Sequence, residues 1–432
     1  MRRSVRSQVL VGLVVSLGVA LTPALAASCS RTVTLRFANW AAAEAATAKE
    51  VNAAIHTFEQ QNPCIKIKSV ALPYNEMVNQ LTVMAVGGNT PDVMEMSSGW
   101  PQVLAAQGAL ANLKAYAPAS LLKQNFPAML QDGTYNGQLV ALPLSLTPHG
   151  FWYNKALMAK AGLNPNKPPT TIAALDHDMA VIKSKLPGVY PMGQMSDKAL
   201  YTMVELWPWL QAYCPTPPMA NNHLGWTKAC TVKAFNWFQF LAKSGYIPIG
   251  NDIKANRQLL ATNKMVFEID GPYLRGIISS INPAYTSNAA FAKTFGVEKI
   301  PVGPSGVSRT AIDIHLIGMS KTTPHPHAAW KFIQFMVSSP ADVRDFLIPE
   351  GGIPPLKSSQ AAFKSLLNQP YQQAWVKEII PEARPVPYNA AWDDAANYMI
   401  DALQSVLNGS NVKQTLGLLE DQLKRLYPSY QP

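Results

Sequence analysis

Charge is scarce in this chain of 432 residues: only 14% are Asp, Glu, Lys or Arg, and no five basic residues follow one another. The 36 basic residues outnumber the 26 acidic ones for a formal +10, but nothing focuses that excess, so it does not imply nucleic acid. Past residue 26 no apolar run approaches the ~20 residues that span a bilayer, which excludes a polytopic membrane protein. Low complexity is excluded as well. Gly 25 and Pro 35 are scattered, and Trp 10, Tyr 15 and Phe 14 are far too many for a disordered chain.

Catalytic punctuation is also missing. There is no G-x-S-x-G, no G-x-x-x-x-G-K-[ST], no G-x-G-x-x-G and no H-E-x-x-H. Ser120-x-x-Lys123 has no partner motif and falls in an amphipathic helix. With no C-x-x-C and no third ligand beside His325 and His327, neither a metal nor a cofactor is implied. A glycosidase would need two carboxylates across a cleft. Acids are few and none clusters with aromatics, so a secreted carbohydrate-active enzyme is only a rival reading.

What is present begins with an address. Arg2, Arg3 and Arg6 precede an apolar stretch, Val9 to Ala20, and Ala24-Leu25-Ala26 forms a small-x-small cleavage site, so residues 1–26 read as a secretory signal peptide. A lipid-anchored alternative rests on Cys29 after Ala26-Ala27-Ser28, although the usual Leu three residues before the Cys is missing. Export would place Cys29, Cys64, Cys214 and Cys230 in an oxidising compartment where disulfides persist. Of three possible pairings, Cys29–Cys64 and Cys214–Cys230 are preferred. The first two cysteines each precede a strand-like run, and the last two flank Pro215 to Pro218.

The mature chain is long enough for two domains. Strand-like Thr32 to Ala38, a helical pattern from about Ala42 to Gln61, a strand from Ile65, a helix Tyr74 to Val86 and a short strand after Pro91 alternate as in an α/β layer with a parallel sheet. Ligands sit beyond the carboxyl ends of such strands, which points to Asn39, Trp40, Glu95, Met96 and Ser97. A strand over Gln138 to Leu142, ended by Pro143, and another at Gly150 to Tyr153 open a second α/β unit, and the last third is rich in helix. Aromatics gather where loops are expected: Trp40, Trp207-Pro208-Trp209, Asp270-Gly271-Pro272-Tyr273 and Tyr388-Asn389-Ala-Ala-Trp392. Flat rings suit the C–H face of a pyranose, and Asp, Asn and Glu suit its hydroxyls. Trp237, Trp330 and Trp375 read as core instead.

Eight segments carry a resemblance. They are Phe58-Glu-Gln-Gln-Asn-Pro63-Cys-Ile65-Lys-Ile67, Gly88-Asn-Thr-Pro91-Asp92-Val93, Tyr135-Asn-Gly137 with Leu142-Pro143, Trp152-Tyr-Asn-Lys155, Ala161-Gly162-Leu163 with Pro169-Thr170, Lys264-Met265 with Asp270-Gly271-Pro272-Tyr273, Gly351-Gly352-Ile353-Pro354, and Val406-Leu-Asn-Gly409. In this order the chain resembles the bacterial extracellular solute-binding proteins of family 1, the maltose-binding type that serves ABC importers. The resemblance implies a two-lobed periplasmic binding protein of type II, α/β, with hinge strands and a helical C-terminal layer. Lobe I would comprise 29–143 plus 298–348, and lobe II 144–297 plus 349–432. It implies stacking by Tyr273 and Trp392, and ligand contacts from Met96, Ser97, Ser98, Trp40 and Glu44. Thr262-Asn263 replaces an expected Gly-x. Ala311-Ile-Asp313-Ile-His315 lacks a frequent Gly-Gly, which would set Asp313 and His315 at the cleft mouth. The expected protein is a monomeric periplasmic receptor that captures a mono- or oligosaccharide by hinge closure and docks on permease subunits in the inner membrane. An anionic solute such as glycerol 3-phosphate, met by Arg275 or His149, is the alternative.

Overall fold

The computed structural model describes residues 29 and 31–431 apart from 126, 312, 369, 385 and 390; the segment read as a signal peptide lies outside these. Two sheets organise the chain. The first contains β1 (Val33–Asn39), β2 (Ile65–Ala71), β3 (Val93–Ser97), β4 (Ala141–Leu146) and, from much later in the sequence, β9 (Ile314–Met319). The second contains β5 (Gly150–Asn154), β6 (Tyr190–Met192), β7 (Met265–Asp270) and β8 (Phe295–Glu298). Their orders are β2-β1-β3-β9-β4 and β8-β5-β7-β6. In the first sheet β1 runs parallel to β2 and β3, whereas β9 is antiparallel to both its neighbours. Each sheet is the centre of one lobe.

Alternation and helical periodicity account for most of this. Ile65 opens β2 opposite Val33 of β1, which brings Cys29 and Cys64 together as a disulfide. Cys214 and Cys230 form the second disulfide, so both preferred pairings are present. Two expectations shift. The helix expected from Ala42 begins at Ala48, because Ala41–Ala43 forms a separate 3₁₀ turn: Asn39 Oδ1 accepts from Ala42 N (2.8 Å), and Thr47 Oγ1 donates to Ala41 O (2.8 Å). Pro143 does not end its strand but lies within β4. β4 is an edge strand, where a residue without an N–H costs least. The border expected between Pro143 and Leu144 therefore falls inside a strand of the first sheet.

In chain order the longer helices are α1 (Ala48–Gln61), α2 (Tyr74–Val86), α3 (Ile172–Lys185), α4 (Thr202–Tyr213), α5 (Ala229–Lys243), α6 (Ile253–Ala261), α7 (Leu274–Ile281), α8 (Pro326–Ser338), α9 (Trp392–Leu407) and α10 (Val412–Leu426). Against the first sheet, α1 and α8 bury Phe58, Phe332 and Phe335 around Phe37. The C-terminal α9 and α10 pack on α5 in the second lobe and share its large aromatic and Leu core. Glu420 of α10 accepts from both Thr227 N and Thr227 Oγ1 (2.9 Å each), which ties that layer down.

The chain passes between the sheets at residues 147–149 and again between β8 and β9. These crossings are bonded to one another. Thr147 donates through N (3.0 Å) and Oγ1 (3.1 Å) to Asp313 O, and Thr310 Oγ1 donates to His149 O (2.6 Å).

Candidate functional site

Where the two lobes face each other they enclose a pocket of about 60 Å³, lined by Trp40, Glu44, Tyr74, Asp313 and His315 from one side and Tyr201, Ile253, Arg257 and Tyr273 from the other. A narrower neck, about 20 Å³, follows between Ser97, Ser98, Gly99, Tyr388 and Trp392 and shares Tyr74 and Tyr201 with the pocket. Beyond Tyr388 the space widens into a chamber of about 690 Å³.

Lobe I supplies a hydrogen-bonded relay. The turn held by Asn39 projects Trp40 from the end of β1, where its ring meets the edges of Tyr74, Trp100 and His315 at 5.3, 5.6 and 4.8 Å. Tyr74 stands at the start of α2 and donates to Ser97 Oγ (3.0 Å). Ser97 in turn donates to Asp313 Oδ1 (3.2 Å). Asp313 Oδ2 lies 3.5 Å from His149 Nε2. Next to it, Ser98 donates to Asp132 Oδ2 (2.6 Å) and accepts from Ile314 N (2.9 Å). Burial pushes the Asp132 carboxyl up to about 7 and pulls His315 down to about 4, so His315 is neutral at pH 7.

Lobe II supplies phenols and a cancelled charge. Tyr201 OH is 2.9 Å from His149 Nε2 and 2.5 Å from Tyr273 OH. Tyr273 stacks on His315, with centroids 6.0 Å apart and planes at 22°. Asp270 grips Arg257 through both oxygens (2.7 and 2.9 Å), and that guanidinium lies 5.3 Å from the Tyr273 ring centre. Gly271 is required here: a Cβ would sit 2.4 Å from the Tyr273 ring. Behind the ion pair lie two further acids, Glu205 and Glu268. Burial first, then their neighbouring carboxylates, push Glu205 up to about 8 and Glu268 well above the ordinary range.

The expected site residues thus divide. Trp40, Glu44, Tyr273, Asp313 and His315 line the pocket; Ser97, Ser98, Tyr388 and Trp392 line the neck. Asp270 and Gly271 stand behind Tyr273. Met96 is fully buried on the face of β3 opposite Ser97, against Gly318 and the core. Trp207 and Trp209 are not on a loop but inside α4, each 1% exposed. Trp209 packs on Trp237 and Phe151 in the lobe II core and lines none of these spaces, whereas Trp207 touches Trp392 and borders the wide chamber. Arg275 lies outside the pocket, bonded to Thr286 O and Asn288 Oδ1. Tyr74, Tyr201 and Arg257 were not anticipated. Tyr74 could have been, since Pro73-Tyr74 starts a helix directly after a strand; Tyr201 and Arg257 look like ordinary helix residues.

Two lobes joined by bonded crossings, with an aromatic and polar cleft between them, define a ligand-enclosing binding protein. The chain matches the bacterial extracellular solute-binding protein family over residues 53–379, and it belongs to that family. A putative binding protein of Brucella abortus (strain 2308) is 23% identical over 355 residues, covering 82% of this chain and 83% of that one. Among solved structures, the GacH receptor of Streptomyces glaucescens GLA.O, described unliganded and with acarbose, is similar at a TM-score of 0.80 and 20% identity, over 93% of this chain and 100% of that one. A solute-binding protein of an ABC transporter from Thermotoga lettingae TMO, bound with alpha-D-tagatose, is similar at 0.81 and 19%, over 92% and 100%.

Proposed function

We propose that this chain is the periplasmic receptor of an ABC importer, exported by the segment at residues 1–26, which captures a mono- or oligosaccharide between its lobes and delivers it to membrane permease subunits as a monomer. Lobe I would be built on the first sheet and lobe II on the second, with the division at 147–149 rather than at 143. One observation carries the carbohydrate reading: four aromatic rings, Trp40, Tyr74, Tyr201 and Tyr273, share a small interlobe pocket with Asp313 and Glu44, while of the two cations lining it from α6, Arg257 is already neutralised by Asp270 and Lys254 is exposed to solvent. Faces for C–H groups beside acceptors for hydroxyls suit a neutral polyhydroxylated solute. An anion would meet two carboxylates and a spent arginine, with only the solvent-exposed Lys254 in its favour, and this balance argues against glycerol 3-phosphate. The sugar-bound neighbours agree with this choice.

Mechanistically, ligand bridging the lobes stabilises the closed arrangement through contacts that an open one cannot make. In the arrangement described here Tyr273 already lies on His315 and Tyr74 on Tyr201, across the cleft. The receptor itself would catalyse nothing. A thermal-shift screen of sugars, polyols and phosphorylated polyols tests the proposal. A true ligand at 100 times its Kd should add about 2.7 kcal/mol of stability. Its affinity should change little between low and high salt. Stabilisation by phosphorylated solutes alone, or turnover of an oligosaccharide, would overturn the reading.

A further inference from the structure

Three separate elements deliver the lobe II half of the pocket: Tyr201 just before α4, Arg257 on α6 and Tyr273 just past β7. Behind the pocket the same three elements meet at one buried acid pair. Glu205 of α4 and Glu268 of β7 are both buried and hydrogen-bonded to each other. Two carboxylates can only accept, so one of the two must carry a proton. Glu205 Oε2 accepts from Met195 N (2.7 Å) and Gln194 Nε2 (3.4 Å). Glu268 Oε1 accepts from Nδ2 of Asn256 (3.5 Å), the residue before Arg257 on α6. No N–H or O–H of another described residue reaches Oε1 of Glu205 or Oε2 of Glu268, which leaves those two oxygens for the shared proton. Gly193 gives the pair its room, since a Cβ there would collide with Glu268 Oε2.

The charges that act on this pair belong to the pocket. Asp270 lies two residues along β7, on the same face of the strand as Glu268, and its partner Arg257 acts on both acids as well. The other surroundings are neutral: Trp152 opposite Glu268 on β5, Met192 on β6, and residues 193–196. Asp197 and Asp252 are engaged at the starts of α4 and α6, by Thr202 Oγ1 and Ala255 N. Burial above all keeps both acids protonated at neutral pH. Loss of a proton would leave a buried anion behind Asp270, in competition with it for Arg257. That guanidinium lies over the Tyr273 ring, so its displacement would reach the pocket wall.

Resting on the reading of the interlobe pocket as the sugar site, we propose that Glu205 and Glu268 are positioning residues for that pocket. Protonated, they join α4 to β7 and leave Arg257 to Asp270; on ionising they draw Arg257 back, so the receptor holds its sugar best in acid to neutral surroundings. Calorimetric titrations at pH 6.5 and pH 9 would use maltose, cellobiose, xylobiose and diacetylchitobiose. Over the same range, NMR of the ligand-free protein with 13C-labelled tyrosine would follow the rings of Tyr201 and Tyr273. Burial holds both phenols well above the ordinary tyrosine range, so they report without titrating. Affinity for a sugar that binds should fall about fivefold or more by pH 9, and both rings should shift with it. The double variant Glu205→Gln/Glu268→Gln mimics the protonated pair but has no proton to lose. Its affinity should change less than about twofold and its rings should stay still; Glu268→Gln alone should respond less than the parent. Melting curves would establish folding, and a merely structural role would lower them without removing the pH response. Rings that do not move in the parent overturn the proposal, as does a sugar affinity that is flat across the range. Movement that persists in the folded variants also overturns it, and would trace to His149, which is bonded to both phenols. Heat from none of the sugars, with ring movement confined to the parent, overturns the sugar reading and leaves the pair's hold on the pocket in place.

Discussion

Two groups of aromatic residues behave differently in this protein, and the contrast separates packing from recognition. In lobe II, Trp209, Trp237, Phe235, Phe238 and Phe151 interlock with one another where the helices meet the second sheet, and apart from Trp237 Nε1, which donates to Asp176 Oδ1 (2.8 Å), they meet little polar company. In the cleft, Trp40, Tyr74, Tyr201 and Tyr273 are also largely covered, yet each lies near an acid, a serine, a histidine or an arginine. Burial alone therefore does not tell the two groups apart. The company of polar atoms does, because such atoms are costly to bury unless they bond to something.

Mutation should pull the groups apart, beginning with the core. Trp209→Ala leaves a large void and should cost roughly 3–5 kcal/mol of stability, read as a fall of ten degrees or more in melting temperature, with the sugar affinity of the folded fraction unchanged. Breaking the lobe II loop closure with Cys214→Ala/Cys230→Ala releases a bridge across a sequence separation of 16. It should lower stability by about 3 kcal/mol, again without touching affinity. For the cleft the pattern inverts. Tyr273→Ala should weaken sugar binding about 10- to 100-fold, about 1.4–2.8 kcal/mol, and shift the ligand-free melting temperature less than Trp209→Ala does. A large loss of stability with intact binding would place Tyr273 in the first group.

The smallest effect concerns the acid pair behind the cleft. Glu205 and Glu268 have pKa values raised in the folded chain, so folding favours their protonated forms. Stability from them is fully present below the ordinary carboxylate pKa and is lost as pH rises towards about 8. Glu268→Gln, neutral at every pH, should flatten that decline. Its melting temperature should match the parent near pH 5 and exceed it by on the order of 5 °C at pH 8.5. A variant that melts lower at both pH values would show that the pair is not a source of strain.

Much of the scaffold was legible from the chain. Helix α10 falls where the periodicity of Val412 to Leu426 puts it, and the Cys29–Cys64 bond follows from two cysteines each preceding a strand. Strand-end position pointed to Trp40, the resemblance to Tyr273, and a departure from its pattern to Asp313 and His315, and all four line the pocket. Tyr201 and Arg257 stayed hidden because long-range packing, not local spacing, brings α4 and α6 to the pocket. The two tryptophans flanking Pro208 misled for a related reason. Pro usually marks a loop or a helix start, but here it is accommodated inside α4, where all twelve residues are buried. Met96 misled through strand alternation, since a shift of one position along β3 exchanges cleft for core.

Asp313 has a double attachment whose consequence is mechanical. Its carbonyl oxygen holds both donors of Thr147 where the chain crosses between sheets, and its carboxylate ends in the binding pocket. A guest pulling on that carboxylate would tug the pivot itself, with no intervening lever. Retuning taste at this position would then also restring the hinge, which leaves change of diet to residues farther along the groove.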